Sequence, residues 1–394
     1  MRSVELFAGA GGLALGTHLA GFTTEVVCDL DRWCCDTLRE NQASGHPLVQ
    51  GMDVWDGDVR DIDWSSYAGQ IDVVSGSPPC QPPSGAGMGD PRDMFPVTAE
   101  VIRLVHPKAF IVENVPGLTH DSVADYFAYI QLMLAHPDVT PQDESWSDHI
   151  ARLQAEHTSV RDDVHYHVVT TLVNAADYGV PQQLWRVFIV GFRSDVDAEW
   201  SFPEPTHSAE SLRISQQQTG EYWERHLVPE KNRPKLTMQP RLLELPLMRP
   251  WRTVRDAIGD LPEPTEYANR LFLNHVLQPG ARSYHGHTGS FLDEPAKALK
   301  AGVRGVPEGE NTLRLPDGSV RYFTVREAAR LQTFPDRYAL HGAWSEAMRR
   351  LCNAVPVLLT QIVASSVHEH LTLADLRATM ATRSRRPATA RALG

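Results

Sequence analysis

Val4-Glu5-Leu6-Phe7-Ala8-Gly9-Ala10-Gly11-Gly12-Leu13 is the stretch that decides the fold, because an apolar strand passes there through a glycine-rich turn into a helix. Glycines let the backbone turn tightly and let a ligand approach it, and the N-terminus of the following helix faces that ligand. Asp29 ends the next predicted strand, where a carboxylate accepts hydrogen bonds from ribose hydroxyls. Ala14 stands where dinucleotide sites carry their third glycine, so NAD is an alternative cofactor at this point.

Strand and helix patterns alternate beyond this turn through the first 200 residues. Strands that alternate with helices, such as those predicted over residues 32–41 and 96–105, indicate an α/β fold with a mainly parallel sheet. Residues 137–165 interrupt this order as a polar, acidic insertion with one helical segment. The predicted strands are residues 4–7, 25–28, 71–75, 109–112, 166–173 and 187–191.

The chain changes character near residue 201, where prolines become dense and apolar periodicity weakens. We expect a first domain over residues 1–200 and a smaller, irregular domain over residues 201–320. In the returning segment, residues 321–375, Thr324 and Glu327 form a capping box before a predicted helix, and Pro356 suits the first turn of an apolar helix running to about residue 371. Residues 376–394 are arginine-rich without acids, which predicts a disordered basic tail.

The 394-residue chain has an ordinary globular composition and a net charge of −12 that is unevenly distributed. Residues 1–200 carry 11 basic and 29 acidic side chains, whereas residues 321–394 carry 11 basic and 5 acidic side chains. An acidic total argues against a nucleic-acid partner, but this asymmetry leaves one open. No apolar run reaches the roughly 20 residues of a membrane span, and the N-terminus enters a strand at once. We therefore expect a cytoplasmic protein without a membrane segment or signal peptide.

The cysteines and histidines predict neither disulfides nor a metal site. The five cysteines are irregularly spaced and none form a Cys-x-x-Cys pair, which disfavours a disulfide framework and structural zinc. Three histidine pairs have i,i+2 spacing, which on a helix points the rings to different faces. We interpret them as surface or internally bonded residues and expect no bound metal. The pairs are His165/His167, His285/His287 and His368/His370.

A cysteine and a carboxylate follow two predicted strands, at the sheet edge where open α/β proteins bind ligands. Cys80 is preceded by Pro78 and Pro79, which fix the backbone that carries a nucleophile. Glu113 follows three apolar residues, and an apolar pocket raises the pKa of a carboxyl so that it holds a proton near neutrality. This pair suits attack on an electron-poor ring with protonation of a ring nitrogen, which NAD chemistry does not need. Asp58 is a candidate acceptor for an adenine amino group.

With these motifs in place, the sequence resembles the DNA cytosine-C5 methyltransferase family over nearly its whole length. The order of the segments matches the family's order. Residues 5–12 resemble its S-adenosylmethionine loop, Pro79-Cys80-Gln81 its nucleophile motif, Glu113-Asn114-Val115 its glutamate motif, residues 177–182 with Arg186 the strand and arginine region, residues 253–258 a segment common in bacterial members, and residues 326–335 and 353–356 the two closing motifs.

The resemblance implies S-adenosylmethionine as cofactor and a Rossmann-like methyltransferase fold, with residues 201–320 as target-recognition domain. It implies that Cys80 attacks C6 of a cytosine flipped out of the duplex, while Glu113 contacts N3 and the exocyclic amine and Arg186 holds O2. The implied substrate-binding residues are Gln81, Asn114 and Gln182. The implied cofactor-binding residues are Phe7, Gly9, Gly11, Gly12, Asp29, Asp58, Val59, Pro78 and Asn353.

Four positions depart from the residues usual in the family. Leu184 stands where the first of two arginines is usual, so it cannot make that arginine's contacts to phosphate or base. Leu30 stands where a tryptophan often stacks on adenine, Pro83 replaces a phenylalanine in the nucleophile loop, and Cys352 replaces a glycine.

We predict a bacterial-type DNA cytosine-C5 methyltransferase that acts as a monomer on double-stranded DNA, as the modification partner of a restriction endonuclease. Two alternatives stay open, namely tRNA methylation by the same chemistry and a non-catalytic DNA-binding member of the family. A variable segment of about 120 residues favours DNA, because base-specific reading needs a dedicated domain. We expect arginines of the returning segment to supply a weak, salt-sensitive affinity for DNA.

Overall fold

A computed structural model describes residues 1–79, 92–142, 144–158, 165–236, 248–283, 288–301 and 305–384. Strands and helices alternate in the first half of this chain, as the sequence predicts. The helices are α1 (Gly12–Leu19), α2 (Arg32–Ala43), α3 (Phe95–Val105), α4 (Ala124–Ala135) and α5 (Trp146–His157). The strands are β1 (Arg2–Leu6), β2 (Thr23–Asp29), β3 (Asp53–Asp56), β4 (Val73–Gly76), β5 (Ala109–Asn114), β6 (Tyr166–Asn174), β7 (Gln182–Gln183) and β8 (Trp185–Arg193).

The main sheet of the described residues has the strand order β3-β2-β1-β4-β5-β8-β6. β1 to β5 pair in parallel, whereas β8 lies antiparallel between β5 and β6. The usual dinucleotide-binding order is 3-2-1-4-5-6, so the reversed β8 next to β5 distinguishes this sheet from that of the NAD alternative. The predicted α/β class with a mainly parallel sheet is confirmed.

The centre of the sheet is fully buried, which fixes the positions of the strand ends. Every residue of β4 and β5 is buried, as expected for parallel strands covered on both faces. β3 is not among the predicted strands, because its residues are polar and mostly exposed at the sheet edge. The carboxyl ends of β1, β2, β4 and β5 meet at one edge, where ligands of such sheets bind.

The predicted recognition segment contains only short elements among its described residues. Pairing of β7 with β12 (Ala296–Lys297) ties this segment to the first half of the chain. Its boundaries at residues 200 and 320 stay predictions. The helices are α6 (Ala209–Gln217), α7 (Glu221–Arg225), α8 (Val254–Ile258) and α9 (Glu266–Leu271). The strands are β9 (His207–Ser208), β10 (Arg249–Pro250), β11 (Ser290–Phe291), β12 (Ala296–Lys297), β13 (Thr312–Arg314) and β14 (Val320–Tyr322).

The returning segment forms helices α10 (Val325–Leu331), α11 (Trp344–Asn353) and α12 (Val357–Ser384). The predicted capping box is confirmed, because Thr324 and Glu327 exchange side-chain-to-backbone hydrogen bonds before α10. α12 packs on α1 so closely that a Cβ on Gly16 would lie 2.4 Å from Cβ of Thr360. The C-terminal segment therefore completes the layer on one face of the first-half sheet.

α12 is longer than the sequence predicts. It continues to Ser384, so an end near residue 371 and a disordered tail from residue 376 are both wrong for residues up to 384. Ion pairs hold this extension, since Asp375 contacts Lys108 at 3.0 Å and Arg377 contacts Asp197 at 3.4 Å. The region Trp344–Thr382 includes a stretch apolar enough to span a membrane, but 61% of that stretch is buried inside the protein, as in a core helix.

Candidate active site

The turn after β1 has a backbone that favours glycine, and a carboxylate at the end of β2 holds it. Gly9 and Gly11 have φ angles of 55° and 89°, and Phe7 has a φ of 57°, which a bulky residue rarely adopts. Oδ2 of Asp29 accepts from the Gly9 N–H and Oδ1 from the Asp31 N–H, each at 2.7 Å. Burial raises the pKa of Asp29, although the hydrogen bonds from the N–H groups of Gly9 and Asp31 act to lower it. Each oxygen keeps a lone pair for a ligand hydroxyl.

The returning segment covers this turn. A Cβ on Gly12 would lie 2.1 Å from the Val355 carbonyl oxygen, so only glycine lets the two backbones meet here. The fully buried Tyr338 donates from its hydroxyl to the Ala10 carbonyl at 2.8 Å. Tyr338 is not among the predicted site residues, and its only signal in the sequence is its position three residues after the closing motif at residues 326–335.

A cavity of about 470 Å³ lies between the turn, the ends of β4 and β5 and the returning segment. Ser77 and Arg349 line it although the sequence analysis did not select them. The structure thus brings the predicted cofactor loop and the predicted catalytic carboxylate to one cavity at the carboxyl edge of the sheet. The predicted site residues that line it are Phe7, Gly9, Gly12, Asp29, Pro78, Glu113, Asn114, Arg186 and Asn353.

Three residues predicted to bind cofactor lie outside the lining of this cavity. Gly11 is the N-cap of α1 and is buried, and Val59 is buried in the core. Asp58 pairs with Arg60, whose guanidinium contacts its carboxylate at 2.5 Å and lowers the pKa of Asp58. The carboxylate also accepts from the Arg60 N–H at 2.9 Å. The adenine contact predicted for Asp58 stays a prediction.

Gln182 is placed in the core and not against the cavity. Its Oε1 accepts from the Leu299 N–H at 2.7 Å, and its Nε2 donates to the Leu331 carbonyl at 3.5 Å. The side chain is fully buried. Gln182 therefore joins β7 to the recognition segment and to α10, and the substrate contact predicted for it stays a prediction.

Glu113 at the end of β5 is held on both carboxylate oxygens. Nε of Arg186, from β8, lies 2.7 Å from its Oε1, and the Ser77 hydroxyl donates to its Oε2. The antiparallel β8 explains the pairing, because its first residues lie beside the last residues of β5. Glu113 is 2% exposed, and burial raises its pKa against the opposing effects of Arg186 and Ser77. The predicted upward shift of the pKa is confirmed.

Asn114 connects β5 with the loop that follows β4. Its Nδ2 donates to the Pro78 carbonyl at 2.8 Å, and its Oδ1 accepts from the Val115 N–H at 2.9 Å. The amide thus anchors the chain two residues before Cys80. Cys80 and Gln81 themselves lie outside the described residues.

The departures from the family pattern are placed in different environments. Leu184 is buried with Phe188 in the core, so an apolar contact replaces the charge of an arginine. Leu30 is 75% exposed. Cys352 lines the cavity and donates its S–H to Oδ1 of Asn311 at 3.5 Å, and burial raises the pKa of its thiol to about 12. Pro83 lies outside the described residues.

A second cavity, of about 950 Å³, lies beside the edge strand β6 and corrects one interpretation of the histidines. His165 directly precedes β6 and His167 lies on it; i,i+2 side chains of an extended chain share a face, and the two ring centroids are 5.0 Å apart. The interpretation that they point apart is wrong. His285 and His287 lie outside the described residues. Within the part of the chain that the structure describes, no three His, Cys, Asp or Glu side chains are arranged to hold a metal ion.

The arginines of the returning segment are largely used inside the protein. Arg326 is fully buried and donates to the carbonyls of Leu273, Pro335 and Tyr338 at 2.7–3.0 Å. Arg350 is also buried. The expectation that this segment's arginines supply the charge for DNA is therefore wrong for Arg326 and Arg350.

The fold and the cavity define a class of protein, an α/β protein with a glycine-rich turn and a buried glutamate–arginine pair at one sheet edge. Within this class, the chain matches the family model "C-5 cytosine-specific DNA methylase" over residues 1–136 and 154–369 and belongs to that family. Its reaction is therefore methyl transfer to C5 of cytosine in DNA.

Similar proteins include several bacterial type II methyltransferases. The chain is 29% identical to Type II methyltransferase M1.HphI of Haemophilus parahaemolyticus, over 92% of this chain and 86% of that protein. It is 30% identical to Type II methyltransferase M.Eco47II of Escherichia coli, over 92% of this chain and 78% of that protein. Solved structures with this fold include S. pombe Dnmt2 methyltransferase, with a TM-score of 0.56, 15% identity and coverage of 95% of this chain and 99% of that one. A second solved structure is that of a putative DNA modification methyltransferase encoded within an E. coli prophage. Its TM-score is 0.54 and its sequence identity 18%, and the match covers 94% of this chain and 99% of that one.

Proposed function

We propose that this protein transfers a methyl group from S-adenosylmethionine to C5 of a cytosine flipped out of a specific duplex DNA sequence. One observation carries the proposal. The buried Glu113, paired with Arg186, lines the same cavity as the glycine turn and Asp29. A nucleoside cofactor at the turn and a base at Glu113 are then neighbours.

The residues at the turn fit S-adenosylmethionine. Asp29 offers acceptor positions for ribose hydroxyls, and the first N–H groups of α1 face the cavity without a side-chain cap, which suits a carboxylate. Phe7 and Asn353 line the same space and are assigned to the adenine and the methionine end. When bound, the cofactor supplies an electrophilic methyl group.

The chemistry at the base uses three residues. Cys80 as thiolate attacks C6 of the cytosine, and Glu113 donates a hydrogen bond or a proton to N3, so that the electron pair of the C5–C6 double bond becomes available at C5. Arg186 binds O2 of the cytosine and forms an ion pair with the Glu113 carboxylate. Burial favours the protonated form of Glu113, which an N3 acceptor requires.

The bonds balance over the cycle. The Cys80 sulfur would bond to C6, and C5 would take the methyl carbon while the bond from that carbon to the sulfonium sulfur of S-adenosylmethionine breaks, with S-adenosylhomocysteine as the leaving group. C5 then loses its proton to a base, and the Cys80 sulfur leaves C6 with restoration of the C5–C6 double bond. Cys80 returns as thiolate, and the proton on N3 returns to Glu113. No oxidant or reductant is needed. Gln182 and Asn114 act as positioning residues for the recognition segment and the nucleophile loop.

The biological role we propose is modification within a restriction or defence system, in the cytoplasm and as a monomer. The printed names of the similar bacterial proteins, which are type II methyltransferases, support it. The 120-residue recognition segment favours duplex DNA over tRNA, because reading base edges needs a dedicated surface.

The test incubates the protein with labelled S-adenosylmethionine and either duplex DNA or tRNA. We expect label in DNA, none in tRNA, and none in either substrate with Cys80→Ala. Label in tRNA alone would establish RNA methylation, and DNA binding without label would establish a non-catalytic member of the family.

A further inference from the structure

Ser77 is in a position that the chemistry described above does not use. Its hydroxyl donates to Oε2 of Glu113, and it lines the cavity at the end of β4. Arg186 occupies the other carboxylate oxygen at 2.7 Å. Oε2 therefore has a hydrogen-bond partner in Ser77, whereas Oε1 forms an ion pair with Arg186 that lacks hydrogen-bond geometry.

The loop between Ser77 and Cys80 is short and stiff. Only Pro78 and Pro79 lie between them, and each proline fixes its φ angle. A second anchor lies beside the first, because Asn114 donates to the Pro78 carbonyl at 2.8 Å. The contact between Ser77 and Glu113 thus joins the start of the nucleophile loop to the group that faces N3.

We propose that Ser77 is a positioning residue whose hydroxyl holds Oε2 of Glu113 before the base binds and shares this oxygen with the base afterwards. The inference rests on the proposed function, since it assigns Glu113 to the base. A carboxylate oxygen has two lone pairs, so the base amino group and Ser77 can both use Oε2, while a protonated Glu113 presents its O–H to N3.

This role predicts how Ser77→Ala changes the pH dependence of catalysis. The hydroxyl donates to the ionised carboxylate and opposes the effect of burial, so its removal raises the pKa of Glu113 further. The reaction needs the protonated acid, and its rate falls as pH rises through that pKa. The limb of the kcat profile that Glu113 sets therefore moves to higher pH in Ser77→Ala, and the other limb stays in place.

Two variants serve as controls. Ser77→Thr keeps the hydroxyl and should retain the wild-type profile. Ser75→Ala removes a serine hydroxyl two residues earlier on β4, where it donates to the Val4 carbonyl at 3.3 Å and does not contact Glu113. Ser75→Ala should leave both limbs of the kcat profile at their wild-type pH. A uniform loss of kcat in Ser77→Ala at every pH, with no displacement of either limb, would overturn the proposal in favour of a purely structural role.

A second measurement separates this inference from the proposed function. In protein labelled with ¹³C at glutamate carboxyls, the NMR signal absent from Glu113→Gln identifies Glu113. Its titration should lie at higher pH in Ser77→Ala than in wild type, whether or not the protein methylates DNA. An unchanged titration rejects the role of Ser77, whereas a shifted titration without methyl transfer retains it and rejects the proposed function.

Discussion

Asp29 is the residue through which the cofactor side of the cavity can be tested. It holds Gly9 and Asp31 by backbone hydrogen bonds of 2.7 Å. Asp29→Asn replaces one acceptor oxygen by a donor and should weaken S-adenosylmethionine binding by about 10-fold to 100-fold, since a hydrogen bond to a charged group contributes about 1.5–3 kcal/mol. Calorimetric titration measures this. Asp36→Asn on α2 should bind like wild type, and equal affinity in Asp29→Asn would contradict the assignment.

At this scale the sequence predicts residue types better than their partners. Glu113 and Asp29 are predictable, because a carboxylate at the carboxyl end of an apolar strand has a defined place at the sheet edge. The contacts of Ser77, Tyr338 and Gln182 are not predictable from the sequence. They join segments up to 328 residues apart and depend on packing that local patterns do not contain.

At the scale of elements, the contact between α1 and the returning segment holds the cavity closed on one side. Gly12→Ala would place a Cβ 2.1 Å from the Val355 carbonyl oxygen, and the forced backbone shift should lower the free energy of unfolding by about 1–3 kcal/mol. Urea unfolding measures the loss. Gly117→Ala is the matched control, because Gly117 has no positive φ and a Cβ there would have no neighbour within 4 Å. Equal stability of both variants would contradict this account of the contact.

The histidine-lined cavity beside β6 predicts sensitivity to acid. Burial lowers the pKa values of His136 and His167, so the unfolded chain binds protons at higher pH than the folded protein. Stability should be complete above the unfolded histidine pKa of about 6.5 and should fall as pH drops below it. The groups facing the cavity are His106, His136, Asp138, Glu156, His157, His165, Tyr166 and His167.

Urea unfolding at pH 7.5 and 5.5 checks this prediction. His136→Gln removes one ring, whose Nε2 lies 2.9 Å from Nδ1 of His157, and should lose less stability between the two pH values than wild type. His18→Gln, outside the cavity, should follow the wild type. A loss in His136→Gln as large as that of wild type would show that the cluster does not cause the acid sensitivity.

Element boundaries were predictable only where a local signal exists. The capping box fixes the start of α10, because both of its partners lie within four residues of each other. The continuation of α12 beyond residue 371 has no such signal, since the ion pairs that Asp375 and Arg377 make there join the helix to Lys108 and Asp197 in distant segments.

For the whole molecule, the charge of the chain has to be separated into internal and external parts. The returning segment has a basic surplus, but Arg326 is buried and bonded to three carbonyls. Arg326→Ala should therefore destabilise the fold by about 3 kcal/mol or more, because buried acceptors lose charged donors. Arg349→Ala, at a half-exposed position on the cavity rim, should change stability by less than about 0.5 kcal/mol. Thermal unfolding compares the two, and similar midpoints would contradict the assignment of Arg326 to the core.

The central claim is cytosine-C5 methylation through Cys80, and the nucleosides of DNA test it most directly. The protein is expressed with a plasmid in a bacterial host without cytosine methylation, and the plasmid is digested and analysed by mass spectrometry. We predict 5-methylcytosine with wild type and none with Cys80→Ala, at matched expression. Absence of 5-methylcytosine with wild type, or an equal amount with Cys80→Ala, would contradict the account.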